Sequence, residues 1–343
     1  MLFQKTIDTD QFGSLSRFFF LILLFTDCLL KQLHGELLPS WNEGQAKATI
    51  LQFINETTKE GGNHYIPVGE RIAVFDEDGT LWVEKPIYTE IFFAIEYIKS
   101  HANRHPEWKT QEPFRSVLAD DKAALSHLSQ KDVLKIIAAS HAGITIDNFH
   151  KEVADWLEKA EHPRFERPFT QLIYQPMLEV MELFRTKQFK IYICSGGGQE
   201  FIRSFSEKVY GIPPERVIGT ASKTKFEYRD GHPVLMKVAD LLFINDKSGK
   251  PEGINLIIGK RPVAAFGNST GDREMLEWTQ GGKGKTLELL VHHDDPVREY
   301  AYGPDSKIGT FSVALEDEAK KKDWIIVSMK NDWKVIFPFE EIK

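Results

Sequence analysis

Short apolar segments alternate with longer amphipathic segments along most of this 343-residue chain. Four of the apolar segments are rich in β-branched and aromatic residues and almost free of charge: residues 72–75, 189–194, 263–266 and 287–291. Such segments are typical of strands that are covered on both faces. Amphipathic helical patterns, including 177–186 and 200–209, lie between them. The alternation predicts an α/β fold built on a doubly wound parallel sheet.

One long interval interrupts this alternation. From about residue 84 to residue 172 the sequence shows only helical patterns, and Pro163 and Pro168 indicate a stiff return to the sheet. We therefore predict an all-helical cap domain at 84–172. It would be inserted into a discontinuous α/β catalytic core formed by residues 36–83 and 173–343.

The C-terminal part contains two further apolar segments, 324–329 and 333–337. Lys330, Asn331 and Asp332 lie between them and favour a tight turn. We expect the two segments to form an antiparallel pair of strands at an edge of the sheet.

The first 35 residues differ in kind from the rest. Lys5 and Arg17 precede a nine-residue apolar segment at 18–26, which is too short to cross a bilayer core that needs ~20 residues. Its length is typical of a secretory signal, so we predict a leader at 1–35 and export, which in a bacterium leads to the periplasm. No stable membrane span is expected in the mature chain. A cytoplasmic protein is the alternative, because acidic residues precede the apolar segment and no small-residue cleavage site follows it.

Charge and cysteine content limit the partners of the protein. The chain has 43 Lys and Arg against 50 Asp and Glu, and its formal net charge is -7 without a basic run, so no nucleic-acid surface is expected. A local site or a metal ion must then attract any anionic substrate. The only two cysteines are Cys28 and Cys194, so removal of the leader would leave no intrachain disulfide. Cys194 ends an apolar strand and is predicted to be a small buried hydrophobe.

Polar and glycine-rich clusters follow three of the predicted strands. They are Asp76-Glu77-Asp78-Gly79-Thr80, Ser195-Gly196-Gly197-Gly198 and Gly267-Asn268-Ser269-Thr270-Gly271-Asp272, and Lys250 lies eighteen residues before Asn268. Ligands of doubly wound sheets bind at the carboxyl ends of the strands, so these groups are expected to converge there.

The acids of these clusters predict a magnesium site. Neighbouring carboxylates repel one another unless a cation lies between them, and oxygen-only ligands with few neutral partners suit Mg²⁺. The candidate ligands are Asp76, Asp272, Asn268 and the backbone near Asp78. Nothing in these clusters has the His or Cys spacing of a zinc site.

The same clusters contain the groups that phosphoryl transfer requires. The Ser195 hydroxyl and the amides of Gly196 and Gly197 can cradle phosphate oxygens, and Lys250 can neutralise charge. Asp76 can act as the nucleophile that forms an acyl-phosphate. Asp78 can protonate the leaving oxygen and later deprotonate water.

In order and context, these motifs resemble the four motifs of the haloacid dehalogenase superfamily. They are Asp76-x-Asp78-Gly79-Thr80, Ser195-Gly-Gly, Lys250 and Gly267-Asn268-x-x-x-Asp272. Their spacing is similar to that of the phosphoserine-phosphatase branch, which has a helical cap between the first two motifs. The strings at 174–177, 195–201 and 262–269 resemble a bacterial subgroup often made with an export leader.

The resemblance implies a role for each matching residue. Asp76 would be the nucleophile and Asp78 the general acid and base. Ser195 and its glycines would bind phosphate together with Thr80, and Lys250 would steady both nucleophile and phosphate. The implied reaction is Mg²⁺-dependent hydrolysis of a small phosphorylated metabolite, because dehalogenases and phosphonatases differ at the position of Asp78.

One departure and several alternatives stay open. Many relatives carry Asp at the position of Asn268. A neutral ligand there would weaken the metal site and make metal binding depend more on Asp272. A phospho-accepting receiver module also uses Asp, Ser or Thr, and Lys around Mg²⁺, and phosphotransfer and dehalogenation occur within the superfamily itself.

His292 and His293, followed by two aspartates, resemble a metal cluster without an evident use. They could instead contact substrate at the rim of the site. Trp82 is expected to pack at the cap hinge, and Glu84 is a further candidate for substrate contact.

Overall fold

The structure is a computed structural model and describes residues 36–341. The chain divides into two units, Met1–Pro39 and Ser40–Lys343. Of the first unit only residues 36–39 are described, and they contain a bend and the start of a turn. The predicted leader and Cys28 lie outside the described residues, so export stays a prediction. Within residues 36–341, no helix has the length and apolar character needed to cross a membrane.

The second unit is built on a seven-stranded sheet with the order β4-β3-β2-β1-β5-β6-β7. The strands are β1 Ile72–Phe75, β2 Lys190–Gly198, β3 Val217–Arg229, β4 His232–Phe243, β5 Ala264–Gly267, β6 Leu287–His292 and β7 Ile325–Ser328. Every neighbouring pair is parallel except β3 and β4. The fully buried strand β1 lies between β2 and β5. The mostly parallel sheet confirms the predicted α/β fold class.

Helices connect and flank the strands. They are α1 Gln45–Thr58, α2 Thr89–His101, α3 Phe114–Leu118, α4 Lys122–Ser126, α5 Gln130–His141, α6 Ile146–Leu157, α7 Gln175–Thr186, α8 Gln199–Arg203, α9 Ser206–Tyr210, α10 Gly249–Ile258, α11 Arg273–Gln280, α12 Val313–Lys321 and α13 Met329–Asp332. Short 3₁₀ turns occur at Val68–Glu70, Ala102–Arg104, Pro106–Lys109, Phe169–Gln171 and Pro214–Arg216. The helix predicted at 200–209 is divided into α8 and α9, which are separated by Ser204 and Phe205.

The interval between β1 and β2 contains helices α2 to α7, and α2 to α6 lie within residues 84–172. Ala94, Ile98 and Trp108 belong to a buried apolar cluster within this interval, which also includes Val117 and Ile136. Ser129 and Asp132 form a capping box that begins α5. The helical character therefore agrees with the sequence analysis, whereas the cap limits at residues 84 and 172 stay a prediction.

The antiparallel hairpin of β3 and β4 goes beyond the sequence analysis, which places no strand between residues 195 and 262. Much of the hairpin is exposed, including the apolar side chains of Phe226, Leu235 and Leu242, and charged residues interrupt it, so it lacks the charge-free pattern of the buried central strands. Asp230 and Gly231, both with positive φ, form its turn. The hairpin pairs with the helical interval, because the Gly143 amide donates to the Lys237 carbonyl and the Lys237 amide donates to the Ile144 carbonyl, each at 2.9 Å.

The predicted C-terminal antiparallel pair is wrong. Strand β7 pairs in parallel with β6, and helix α13 follows it immediately. The helix forms because Ser328 Oγ accepts a hydrogen bond from the Asn331 amide at 3.0 Å, which caps its first turn. Residues 333–337 then form no strand, and buried Trp333 and Phe337 pack against Tyr174.

Candidate active site

The carboxyl ends of β2, β1 and β5 bring the predicted clusters together. Asp76 follows β1 directly, Ser195 lies within the end of β2, and Asn268 follows β5. Lys250 lies in the first turn of α10. The neighbouring positions of these strands in the sheet therefore converge four chain segments on one place.

Lys250 joins two of the acids. Its Nζ lies 2.6 Å from Asp76 Oδ1 and 2.5 Å from Asp272 Oδ1. All three side chains are buried, with 2% exposure for Lys250. Burial alone lowers the pKa of Lys250, but the two carboxylates reverse this effect and raise its pKa overall. The lysine therefore stays charged and holds Asp76 in place.

Asp272 is fully engaged by the protein. Its Oδ1 bonds Lys250, and its Oδ2 accepts from the amides of Asn268 and Ser269 at 3.0 Å each and from Ser269 Oγ at 3.3 Å. A side chain on Gly267 would collide with Asp272, so glycine is required there for this close approach. Asp272 thus fixes both Lys250 and the turn that carries Asn268.

Asp76 and Asp78 have raised pKa values. Burial and then the neighbouring Asp272 raise the pKa of Asp76 to about 8, while Lys250 opposes the shift. Burial raises the pKa of Asp78 to about 7, although the Trp82 indole N–H donates to its Oδ1 at 2.8 Å and acts in the opposite direction. Trp82 is fully buried, and it therefore also orients Asp78.

The Ser195 loop lies beside these acids. Ser195 Oγ accepts from the Gly197 amide at 3.1 Å, and a Cβ on Gly197 would lie 3.7 Å from Asp78 Oδ2. Asn245 Nδ2 donates to the Ser195 carbonyl at 2.8 Å, and Thr220 Oγ1 donates to the Gly196 carbonyl at 2.7 Å. Asn245 and Thr220, which the sequence analysis missed, thus hold the loop. Cys194 is buried as predicted.

Asn268 and Thr80 complete the group. Thr80 Oγ1 donates to Asn268 Oδ1 at 3.4 Å, and Asn268 Nδ2 donates to Glu84 Oε1 at 2.7 Å. Tyr302 OH donates to the same Glu84 oxygen at 2.6 Å. Burial raises the pKa of Glu84, and the Tyr302 hydrogen bond opposes this effect. Glu84 therefore contacts the site through Asn268, a role that its position in the sequence does not indicate.

His293 does not form a metal cluster with its neighbours. Its Nε2 lies 2.7 Å from the Gly79 carbonyl oxygen, and its Nδ1 lies 3.0 Å from Glu299 Oε2. Its burial also argues against a place at the rim of the site. The adjacent His292 ring packs on Phe311 at 4.7 Å between centroids.

The donor set fits a magnesium ion. Asp76 and Asp78 provide carboxylate or carbonyl oxygens, and Asn268 provides an amide oxygen. The raised pKa of Asp76 arises from burial next to another acid, and a bound cation would relieve this cost. Within the described ranges no group of three or more His, Cys, Asp or Glu side chains is arranged to hold a metal. A cation here would therefore depend on neutral oxygens as well as carboxylates.

A second polar group lies between the helical interval and the Ser195 loop. Glu90 Oε2 accepts from the Gly198 amide at 2.9 Å, and Glu90 Oε1 lies 3.0 Å from His141 Nε2. Lys237 is also buried, and its Nζ lies 4.5 Å from the centre of the Phe149 ring. These residues place charge next to the predicted phosphate loop, and none of them was singled out from the sequence.

Comparisons with known proteins support the fold. The conserved, functionally unknown Anaerococcus prevotii protein matches with a TM-score of 0.53 and 13% identity, over 85% of this chain and 94% of that chain. A Bordetella pertussis protein of unknown function gives 0.47 and 14%, over 75% and 98%. A phosphoserine phosphohydrolase-like protein from Francisella tularensis gives 0.36 and 15%, over 72% and 98%. At these identities the likeness to the Anaerococcus protein shows a shared fold.

Family membership comes from the sequence itself. No curated protein matches the chain. The family model of the haloacid dehalogenase-like hydrolases matches residues 73–277, which is more than half of its length and includes Asp76, Ser195, Lys250 and Asp272. The chain therefore belongs to the haloacid dehalogenase-like hydrolases.

Proposed function

We propose that this hydrolase is a Mg²⁺-dependent phosphatase that cleaves small phosphate monoesters through an aspartyl-phosphate intermediate. The observation that carries the proposal is the buried contact of Lys250 with Asp76, next to Asp78 and the Ser195 loop. This arrangement joins a nucleophile, a proton donor and donors for phosphate oxygens at one place.

In the first step a carboxylate oxygen of Asp76 attacks the phosphorus atom. The bond between phosphorus and the alcohol oxygen breaks, and Asp78 gives its proton to that oxygen. The raised pKa of Asp78, about 7, suits this role because the carboxyl group still carries a proton near neutral pH. In the second step Asp78 takes a proton from water, and the resulting hydroxide oxygen attacks phosphorus. Phosphate is released and the Asp76 carboxylate is restored.

The other predicted residues bind and orient. Ser195, Gly196, Gly197 and Thr80 would hold phosphate oxygens through hydroxyl and amide donors. Lys250 keeps Asp76 oriented and offsets charge on the transferring group.

Asp76, the Asp78 carbonyl and Asn268 would hold the magnesium ion. When bound, the ion supplies positive charge that reduces repulsion between the nucleophile and the phosphate. We assign Asp272 to holding Lys250 rather than to the metal, because both of its oxygens already accept hydrogen bonds.

The helical interval at 84–172 would act as a cap over the substrate. Closure would exclude water from the first step and select the leaving group. We also retain the proposals that residues 1–35 are a leader and that the protein is exported.

The second acid, Asp78, favours a phosphatase over a receiver module, because a receiver needs no group that drives turnover. The test is steady release of phosphate from p-nitrophenyl phosphate with Mg²⁺, followed by a panel of phosphomonoesters. The Asp76→Asn variant should lose turnover and stay folded. Unchanged activity of this variant would refute the nucleophile, and a single stoichiometric phosphorylation would instead support a receiver.

A further inference from the structure

Glu84 is a buried carboxyl group that the proposed reaction does not use. It is 2% exposed and lies at the start of the helical interval. One of its oxygens, Oε1, accepts hydrogen bonds from both Asn268 and Tyr302, at 2.7 and 2.6 Å. These donors come from segments 184 and 218 residues away in the chain, so tertiary structure alone creates the contact.

The space around Glu84 is kept free by two glycines. Gly79 and Gly309 both have positive φ, at 76° and 61°. A Cβ at either position would overlap the Glu84 carboxyl group. Two separate turns therefore leave room for this side chain.

The contact fixes the orientation of the Asn268 amide. The amide has one face that donates and one oxygen that accepts, and Glu84 Oε1 can accept from Nδ2 whether the acid is ionised or not. Since Nδ2 faces Glu84, Oδ1 is directed away from it, toward the Thr80 hydroxyl. Oδ1 is the only side-chain atom of Asn268 that can bind a cation.

We propose that Glu84 is a positioning residue for the magnesium site, which holds the Asn268 amide with its oxygen available to the cation. The inference rests on the proposed Mg²⁺ site. It also accounts for the asparagine itself, because Nδ2 provides the donor that Glu84 Oε1 accepts across 2.7 Å and an ionised aspartate at position 268 would have no donor to offer.

The positioning role of Glu84 can be tested by exchanging which of the two side chains, Glu84 or Asn268, donates the hydrogen bond and which accepts it. Glu84→Leu removes the acceptor and should weaken Mg²⁺ binding by about 10–100-fold, as is typical for residues that orient metal ligands. Glu84→Gln retains an acceptor oxygen and should stay near the wild type. Asn268→Asp alone should bind Mg²⁺ weakly, whereas Glu84→Gln with Asn268→Asp restores a donor facing an acceptor and should recover affinity.

The measurement is Mg²⁺ affinity by isothermal titration calorimetry on the full chain, with thermal unfolding to verify folding. Glu288→Leu is the matched control, because Glu288 is a buried acid on β6 for which no contact with the site is observed among the described residues. It should leave Mg²⁺ affinity unchanged. If Glu84→Leu does not fold, the exchanged pair still provides the test.

Wild-type affinity in folded Glu84→Leu, or equal affinity of Asn268→Asp and the exchanged pair, would overturn the inference. Absence of Mg²⁺ binding by the wild type would overturn it together with the proposed cofactor. If the exchange behaves as expected but no phosphomonoester is hydrolysed, only the proposed function fails.

Discussion

His293 Nε2 donates a hydrogen bond to the Gly79 carbonyl oxygen across 2.7 Å and so ties the end of β6 to the turn that carries Asp78. A carbonyl oxygen only accepts, so the proton must reside on Nε2. Glu299 holds the other ring nitrogen at 3.0 Å. The histidine therefore fixes the Gly79–Thr80 peptide, one residue beyond the proposed general acid.

Replacement of this histidine should slow the reaction without unfolding the protein. His293→Phe keeps a ring that can stack on Tyr302, now at 4.4 Å between centroids, but loses both hydrogen bonds. A misplaced Asp78 should lower kcat on the order of 10²-fold, with a smaller effect on KM. His292→Phe is the matched control, and its kcat should stay unchanged. Equal kcat values for the two variants would contradict a positioning role.

Lys250 should be coupled energetically to Asp76. Lys250→Met leaves two buried acids without their cation and should cost about 3–5 kcal/mol of unfolding free energy without Mg²⁺. Addition of Asp76→Asn removes one of these acids and should recover ~1 kcal/mol or more. Urea unfolding in the presence of a chelator measures both effects.

The control for this cycle is Lys260→Met. Lys260 contacts Glu70 at 2.6 Å, but both side chains are about half exposed, so the change should stay within ~1 kcal/mol. Additive effects of Lys250→Met and Asp76→Asn would show that the ion pair does not stabilise the fold.

Glu288 should make folding stability depend on pH. Burial raises its pKa from 4.5 to about 7, although Thr286 opposes the shift. The folded chain therefore keeps a proton that the unfolded chain loses, and stability falls as pH rises from 4.5 to about 7. Glu288→Gln should be more stable than the wild type at pH 8, on the order of 1 kcal/mol, with little difference at pH 4. Denaturant unfolding at both pH values tests this, and a constant difference would exclude Glu288 as the source.

Gly309→Ala should reproduce the loss of Glu84 without a change of charge. The new Cβ would displace the Glu84 carboxyl group, so Mg²⁺ affinity should fall by about 10–100-fold. Gly231→Ala provides the control, because Gly231 also has positive φ but nothing lies within 4 Å of its Cβ position. If both variants weaken Mg²⁺ binding equally, backbone strain rather than Glu84 is responsible.

The central sheet could be predicted because its strands are buried on both faces. Strands β1, β2, β5 and β6 carry apolar residues that few helices or loops would tolerate in such short segments. The β3–β4 hairpin is half exposed and mixes charged with apolar residues, so it lacks the charge-free pattern of a buried strand and only Asp230-Gly231 indicates its turn. The error at the C-terminus arose because apolar segments beside a turn do not reveal whether Ser328 caps a helix.

The candidate site was predictable for a related reason. Asp76, Asn268 and Asp272 follow strands that end at the same edge of the sheet, so their convergence follows from the fold class. Glu84, His293 and Asn245 could not be assigned from the sequence. Their contacts join distant segments, and the side chains bind other protein groups rather than follow a motif.

The backbone hydrogen bonds between the β3–β4 hairpin and residues 143–144 attach the helical interval to the hairpin. A swing of the helices away from the sheet would have to break the two Lys237 backbone hydrogen bonds or take the hairpin along. With the hairpin attached, four polypeptide connections rather than two lead back to the sheet. Such an attachment would restrict rotation of the helical interval relative to the sheet. Substrate entry would then depend on bending at the start of β3 and the end of β4 as much as at residues 84 and 172.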